Sequence, residues 1–101
     1  MTSSNKLLPD EAKRLILLII EEGRIRFSGH CLRESMPKRN ATIIDVEHVL
    51  RTGEIVRDPE WDEKYQRWKY RVEGVDTEGD DLIAITIIIE SDLRLFIVTV
   101  F

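Results

Sequence analysis

The chain has 101 residues, of which 43% are hydrophobic and 34% charged, and its formal net charge is −4 at pH 7. This composition excludes a disordered protein and the length fits one domain, so we predict a single domain over residues 1–101 with a flexible segment at residues 1–8. The apolar run from Leu15 to Ile20 is too short for a membrane span of about 20 residues, so no membrane contact is expected. The start lacks the pattern of a secretory signal and the single cysteine, Cys31, excludes an internal disulfide, which predicts a cytoplasmic protein.

The charge is distributed unevenly along the chain. Residues 1–39 contain eight Lys or Arg against five Asp or Glu, whereas residues 40–101 contain seven against fourteen. The first part is therefore cationic and the second strongly acidic. Such an asymmetry permits a local site for an anionic ligand in an acidic protein, although a solvated protein face has the same composition.

The start of the chain predicts one long helix followed by a short extended segment. Pro9 suits the first helical turn, two acidic residues follow it, and apolar residues continue at helical spacing to the stop at Gly23. We therefore predict a helix over residues 9–22. Residues 24–27 then alternate charged and apolar side chains, which predicts a short strand or an extended link.

Two further helices are predicted before the middle of the chain. One covers about residues 29–36 and is interrupted by Pro37, and Asn40 then marks a turn. The other begins with the capping box of residues 42–45 and ends before Gly53.

After Gly53 the apolar pattern changes to a period of two, which predicts strands. We predict an α+β fold in which the N-terminal helices pack on a four-stranded antiparallel sheet, a β-meander. Two of the strands are apolar on both faces, and such strands are normally covered on both. The second face is covered either by a partner, which includes a homodimer formed through the sheet, or by the long loop of residues 58–67. The four candidate strands are residues 54–57, 68–75, 82–90 and 94–101.

A dense cationic segment, residues 24–39, is the main candidate for chemistry. Guanidinium groups bind phosphates in two-point fashion, and a histidine can exchange protons at physiological pH. In RNA cleavage without a metal, His30 could act as the base or the acid, and Arg39, Arg33 and Arg71 could stabilise the charge on phosphorus. The alternative is a structural histidine and solvated arginines that pair with nearby glutamates. We predict His30, Arg39 and Arg71 as catalytic and Arg24, Arg26, Arg33 and Lys38 as ligands of RNA phosphates.

No cofactor or metal site is predicted. His30, Cys31 and His48 lack the usual spacing of zinc ligands, and the acidic residues 76–81 lack the ordered spacing of a calcium loop. The sequence also contains no phosphate-binding glycine loop and no serine nucleophile elbow.

Several short motifs are spread along the chain, at residues 22–31, 36–39, 45–46, 50–55, 70–74 and 97–101. Together they resemble a bacterial family known as domain of unknown function 4258, over roughly residues 9–101. Members of this family resemble RelE/ParE-like and MqsR-like toxins in architecture, and some are encoded beside small antitoxins. The resemblance implies a toxin-like component of a type II toxin-antitoxin pair that acts on RNA or translation, as a metal-independent endoribonuclease or through the ribosome, with an antitoxin protein as partner. It places His30 and Arg39 at motif positions.

The chain departs from the family pattern at two places. Between His30 and Met36 it is one residue longer than the commonest spacing, and one extra residue on a helix rotates the rest of that helix by about 100°. Whether His30 and Arg39 share one site therefore depends on how the fold accommodates this extra residue. Asn40 also stands where the family usually has glycine. A second hypothesis for function is a non-catalytic protein-protein interaction module, favoured by the overall acidity and the doubly apolar strands.

Overall fold

A computed structural model describes residues 6–101 of the chain. The predicted flexible segment at residues 1–8 falls mostly on residues 1–5, which lie outside this described part. Leu7 packs against the core and its backbone N–H donates to Tyr70 Oη at 2.8 Å. The elements are α1 (Pro9–Glu22), β1 (Arg24–Phe27), a π-helix (Cys31–Ser35), α2 (Met36–Lys38), α3 (Ile43–Thr52), β2 (Glu60–Asp62), β3 (Arg67–Val75), β4 (Asp81–Ile89), a 3₁₀ turn (Glu90–Asp92) and β5 (Arg94–Val100).

The fold is α+β, as predicted, but its sheet has five strands in the order β1-β5-β4-β3-β2. Strands β2 to β5 form an antiparallel meander, and β1 joins the edge of β5 in parallel. The prediction of a four-stranded antiparallel sheet is therefore wrong in strand number and in direction at one edge. The alternation in residues 24–27 correctly indicates a strand, but a local pattern does not say which distant strand it joins.

The predicted first strand of the meander, residues 54–57, is also wrong. Glu54 alone forms an isolated bridge, to Glu73, and the strand that pairs with β3 is β2 instead. The backbones approach closely at this crossing, because a Cβ on Gly74 would lie 3.0 Å from the Cα of Gly53. The chain thus crosses β3 at Glu54 and meets it again only at Glu60.

Helices α1 and α3 begin and end where the sequence predicts. The Leu8 N–H at the start of α1 donates to Glu11 Oε1 at 3.0 Å. At the start of α3 the Asp45 N–H donates to Thr42 Oγ1 at 3.2 Å and the Thr42 N–H donates to Asp45 Oδ2 at 2.9 Å, which confirms the capping box. No helix within residues 6–101 is long and apolar enough to cross a lipid bilayer.

The core lies between the sheet and the pair of helices α1 and α3. Side chains at helical spacing on both helices are fully buried against apolar side chains from the central strands, and this burial is the main force that fixes the helices on the sheet. The buried set includes Ile16, Ile19, Val46, Val49, Leu50, Val72, Leu82, Ala84, Leu95 and Ile97.

We call the opposite side of the sheet, which faces away from α1 and α3, the outer face. The loop between β2 and β3 folds over one end of it, where the rings of Tyr65 and Phe96 pack edge to face with centroids 5.0 Å apart. Ile87 beneath them is only 2% exposed. The loop thus covers this end of the outer face. The other end, near Thr99 and Phe101, contains open cavities.

The segment predicted as a second helix contains a π-helix at Cys31–Ser35, in which the Met36 N–H donates to the Cys31 carbonyl. A π turn contains one more residue than an α turn, so an extra residue can be taken up without rotating the rest of the helix. His30 and Arg39 line the same groove.

Two serine hydroxyls attach this π-helix to the edge of β5, beyond the point where β1 ends. Ser28 Oγ donates to the Val98 carbonyl at 2.7 Å, and the Val100 N–H donates to Ser35 Oγ at 3.2 Å. Because β1 pairs with only the first part of β5, these hydroxyls satisfy backbone groups that would otherwise be unpaired. The π-helix is therefore held directly beside the end of β5.

The most highly connected polar side chain of the fold is Asp45, which is buried at the start of α3. Its Oδ1 accepts from Thr77 Oγ1 at 2.6 Å and from the Thr77 N–H at 3.1 Å, while Oδ2 accepts from the Thr42 N–H and hydroxyl. Hydrogen bonds from Thr77, and then from Thr42, hold the pKa of the Asp45 carboxyl well below its usual range.

We expect Asp45→Asn to lower the free energy of unfolding at pH 7 by about 2–3 kcal/mol, because an amide nitrogen cannot accept these bonds. Since the folded-state pKa is depressed, the contribution of Asp45 is fully present above the unfolded value of about 3.9 and is lost progressively as the pH falls from there through the folded-state pKa. Urea unfolding at pH 7 and pH 3 should therefore show a smaller difference in the free energy of unfolding between native protein and variant at pH 3. Asp10→Asn, at an exposed position, is the control and should cost less than about 1 kcal/mol.

Candidate functional site

A groove of about 760 Å³ lies between the helical segment that follows β1 and the end of β5. One wall comes from the π-helix and α2, and the other from the last residues of the described sheet. The attachment through Ser28 and Ser35 holds these walls together. The groove is lined by His30, Glu34, Ser35, Pro37, Lys38, Arg39, Thr99, Val100 and Phe101.

His30 and Glu34 lie on successive helical turns, and their side chains meet in the groove. His30 Nδ1 is 3.8 Å from Glu34 Oε1, and the side chains are 57% and 71% exposed. A ligand in the groove can therefore reach both groups. From the sequence, Glu34 is predicted only to pair with basic residues. Its spacing of four residues from His30 on a helix nevertheless indicates that the two side chains can contact each other.

Lys38 and Arg39 supply the positive charge of the groove. Arg39 Nη2 donates to the carbonyl oxygen of Asp81 at 2.5 Å, which fixes the guanidinium. Helix α2 ends there because Asn40 adopts a left-handed conformation, with φ 54°. Within residues 6–101 neither Lys38 nor Arg39 forms an ion pair, so both charges are available to an anion.

Arg71 lies in a second, adjoining cavity of about 190 Å³ on the outer face, and not in the groove. Its Nε is 2.9 Å from Glu73 Oε2, and Arg57 Nε is 3.6 Å from the same oxygen. The groove and the cavity share Thr99 and Phe101 as lining residues. Arg71 is thus a neighbour of the groove that contains His30 and Arg39.

The other three predicted phosphate ligands lie outside both spaces. Arg24 and Arg26 are exposed on β1, where they pair in register with Arg94 and Phe96 near the beginning of β5. Since a strand rises about 3.3 Å per residue, these two positions lie about 16 Å and about 10 Å before Thr99, where the groove begins on β5. The Arg33 guanidinium turns back over Gly29, with Nη2 only 2.7 Å from the position of a Cβ built on that glycine. The structure therefore brings together His30, Lys38 and Arg39 of the predicted set.

Cys31, which adjoins His30 in the sequence, is fully buried, and burial raises the pKa of its thiol. It behaves as a small core residue. Nowhere in residues 6–101 do three or more His, Cys, Asp or Glu side chains group closely enough to hold a metal ion.

Comparison with known proteins identifies one family. No curated protein and no solved structure matches the chain significantly. The model of the family described as "Domain of unknown function (DUF4258)" matches residues 27–101. This range includes every residue that lines the groove and the adjoining cavity. Because the match covers most of its length, the chain belongs to the DUF4258 family.

Proposed function

We propose that this protein is a toxin-like component of a type II toxin-antitoxin system and that it cleaves single-stranded RNA, free or on the ribosome, in the groove. The observation that carries the proposal is the exposed pair His30 and Glu34 beside two cations, Lys38 and Arg39, that have no carboxylate partner in the described chain. An acid-base pair beside unpaired cations is the arrangement that phosphodiester cleavage requires.

In the proposed reaction, Glu34 takes the proton from a ribose 2′-OH, and the 2′-oxygen attacks the adjacent phosphorus. The bond between phosphorus and the 5′-oxygen breaks as His30 donates a proton to that oxygen. The products are a 2′,3′-cyclic phosphate and a 5′-hydroxyl end. Glu34 and His30 are assigned these roles because they are the carboxylate and the imidazole among the described lining residues.

Arg39 and Lys38 would stabilise the charge that develops on the phosphate oxygens. The bond from Arg39 Nη2 to the Asp81 carbonyl holds the guanidinium in place before substrate binds, so little ordering is needed when the charge develops. Lys38 is exposed and reaches the same groove.

The proposed partner is an antitoxin protein, as the resemblance to RelE/ParE-like and MqsR-like toxins implies. Strand β1 is at the edge of the sheet. The N–H groups of Arg24 and Ser28 donate to carbonyls of the β5 segment, so those of Ile25 and Phe27 face outward. Arg24 and Arg26 are exposed and form no ion pair within residues 6–101. An extended acidic segment of the antitoxin could therefore pair with β1 as a further strand and contact these two arginines.

Regulated expression in a bacterial host tests the proposal. We expect the native protein to arrest growth and degrade RNA, and Arg39→Ala to abolish both effects while circular dichroism and the melting temperature stay unchanged. Arg51→Ala is the matched control, because Arg51 is a surface arginine that pairs with Glu21 at 3.2 Å, outside the groove. The proposal fails if the native protein is harmless and purified RNA remains intact with it.

A non-catalytic interaction module is the second candidate function. The observation in its favour is an apolar patch on α1, where the side chains of Leu17 and Leu18 are 39% and 45% exposed. This function requires a stable complex, either a homodimer or a complex with another protein. Sedimentation at micromolar concentration should then show a dimer or a co-purified partner, whereas a monomer with no partner contradicts it.

A further inference from the structure

The cavity that adjoins the groove is lined by both positive and negative side chains over an apolar floor. Ile85 and Val98 lie at the floor, and Phe101 lies at the wall shared with the groove. Arg57, Arg71 and Lys69 bring hydrogen-bond donors, and Asp58 and Glu60 bring acceptors. Lys69 is itself paired with Asp62 at 3.4 Å. Because two acids line the cavity beside these cations, it is not built for a phosphate group alone.

The Glu73 carboxylate contacts the guanidinium groups of both Arg71 and Arg57. Its Oε2 is 2.9 Å from Arg71 Nε and 3.6 Å from Arg57 Nε. Both guanidiniums are engaged through Nε, and their terminal Nη atoms make no hydrogen bond within residues 6–101. Two pre-positioned sets of N–H donors are therefore available to a ligand with neighbouring acceptors.

The combination of donors, acceptors and apolar surfaces suits a nucleobase. The faces of a base can pack on Ile85 and Val98 and stack on Phe101, whose side chain is 51% exposed. The edge of the base then meets the charged side chains. The cavity volume of about 190 Å³ allows one base and no more than a small neighbouring group.

Guanine is the base whose edge best matches these groups. Its O6 and N7 are adjacent acceptors, which a guanidinium binds with two hydrogen bonds. Its N1–H and N2–H₂ are adjacent donors, which a single carboxylate can accept together. Cytosine lacks the adjacent donor pair, and adenine and uracil lack both pairs. We infer that this cavity is a guanine-recognition site, which selects the nucleotide next to the bond that the groove cleaves; the inference rests on the proposed function for its place in the reaction.

Binding of free nucleotides tests the inference separately from cleavage. Titration of the native protein with 5′-GMP, 5′-AMP, 5′-CMP and 5′-UMP, followed by NMR, should show GMP binding about tenfold or more tightly than the others. The preference should disappear in the double variant Asp58→Asn, Glu60→Gln and in Arg71→Lys, which retains the charge but loses the two-point fork. Glu63→Gln is the matched control, since Glu63 is an exposed acid of the neighbouring loop that does not line the cavity.

The outcomes separate the two proposals. Equal affinity for all four nucleotides, or a GMP preference that survives both cavity variants, overturns the guanine site even if the protein cleaves RNA. A GMP preference without any RNA cleavage supports the guanine site and contradicts the proposed nuclease. If the protein both prefers GMP and cleaves RNA, the native protein should cleave RNA beside guanine, and the Arg71→Lys variant should cleave without this preference.

Discussion

Replacing His30 with alanine is expected to slow RNA cleavage by about 10²–10⁴-fold, the usual contribution of a general acid. The side chain is 57% exposed and contacts Glu34 rather than the core, so its removal should leave the fold intact. RNA affinity should change little, because Lys38 and Arg39 supply the charge that binds phosphate. Single-turnover cleavage of a labelled RNA, with binding measured by fluorescence anisotropy, separates the two quantities.

Glu34→Gln should produce a loss of similar size, and the double variant should be little slower than either single variant, because an acid and a base act as a unit. The control is His48→Ala, because His48 lies on α3 and does not line the groove. The hydrogen bond that His48 accepts from Thr52 Oγ1 goes to its backbone carbonyl and therefore remains after the substitution. A His30→Ala protein that cleaves at the native rate, or an equal loss in His48→Ala, would show that the groove is not the catalytic site.

Local signals make most of the helical half predictable. Helix α1 is predictable from Pro9 and Gly23, and α3 from its capping box, because each signal acts within one turn of the helix that it begins or ends. Strand β3 is also recognisable from alternation, and β4 and β5 are recognisable as apolar runs bounded by turn residues. In these segments the residues that decide the structure are close together in the sequence.

The errors lie where distant parts of the chain decide the outcome. Residues 24–27 and residues 54–57 are both predicted to be extended, yet the first form β1 and the second keep only a bridge at Glu54. Strand β1 pairs with β5 over all four of its residues, whereas the chain leaves β3 after Glu54 and returns to it only as β2, which pairs with Arg67–Lys69. The π-helix likewise depends on contacts of Ser28 and Ser35 with β5, which no helical pattern in the sequence reveals.

The sequence predicts which residues form the candidate site, but it does not predict how the fold arranges them. The cationic segment contains His30, Lys38 and Arg39, which the fold brings to one groove. Arg24 and Arg26 belong to the same segment but lie on a strand that ends before the π-helix, so they are directed elsewhere. The adjoining cavity is lined by residues of β2, β3, β4 and β5 and of the segment before β2, and nothing in the spacing of these residues indicates that they meet.

Gly23→Ala is expected to destabilise the protein by at least about 3 kcal/mol, which is the upper range for a substitution that must displace packed atoms. A Cβ at this position would lie 1.9 Å from the Leu93 carbonyl oxygen and 2.9 Å from its carbon. The obstacle is backbone, which cannot rotate away as a side chain can. Leu93 is itself constrained, because it adopts a left-handed conformation with φ 49° at the turn before β5.

The same carbonyl accepts the Arg24 N–H at 3.0 Å, the first bond that joins β1 to the β5 segment. Moving Leu93 to make room for a methyl group therefore breaks the start of the β1–β5 pairing, and the shift passes along β1 toward His30 and the groove. The matched control is Gly79→Ala, where φ is 89° but a Cβ would meet no atom within 4 Å. Its cost is limited to the left-handed backbone, about 1–2 kcal/mol. Urea unfolding gives the free energy of unfolding of both variants. A smaller decrease in Gly23→Ala than in Gly79→Ala would contradict the close packing of β1 against the turn that precedes β5.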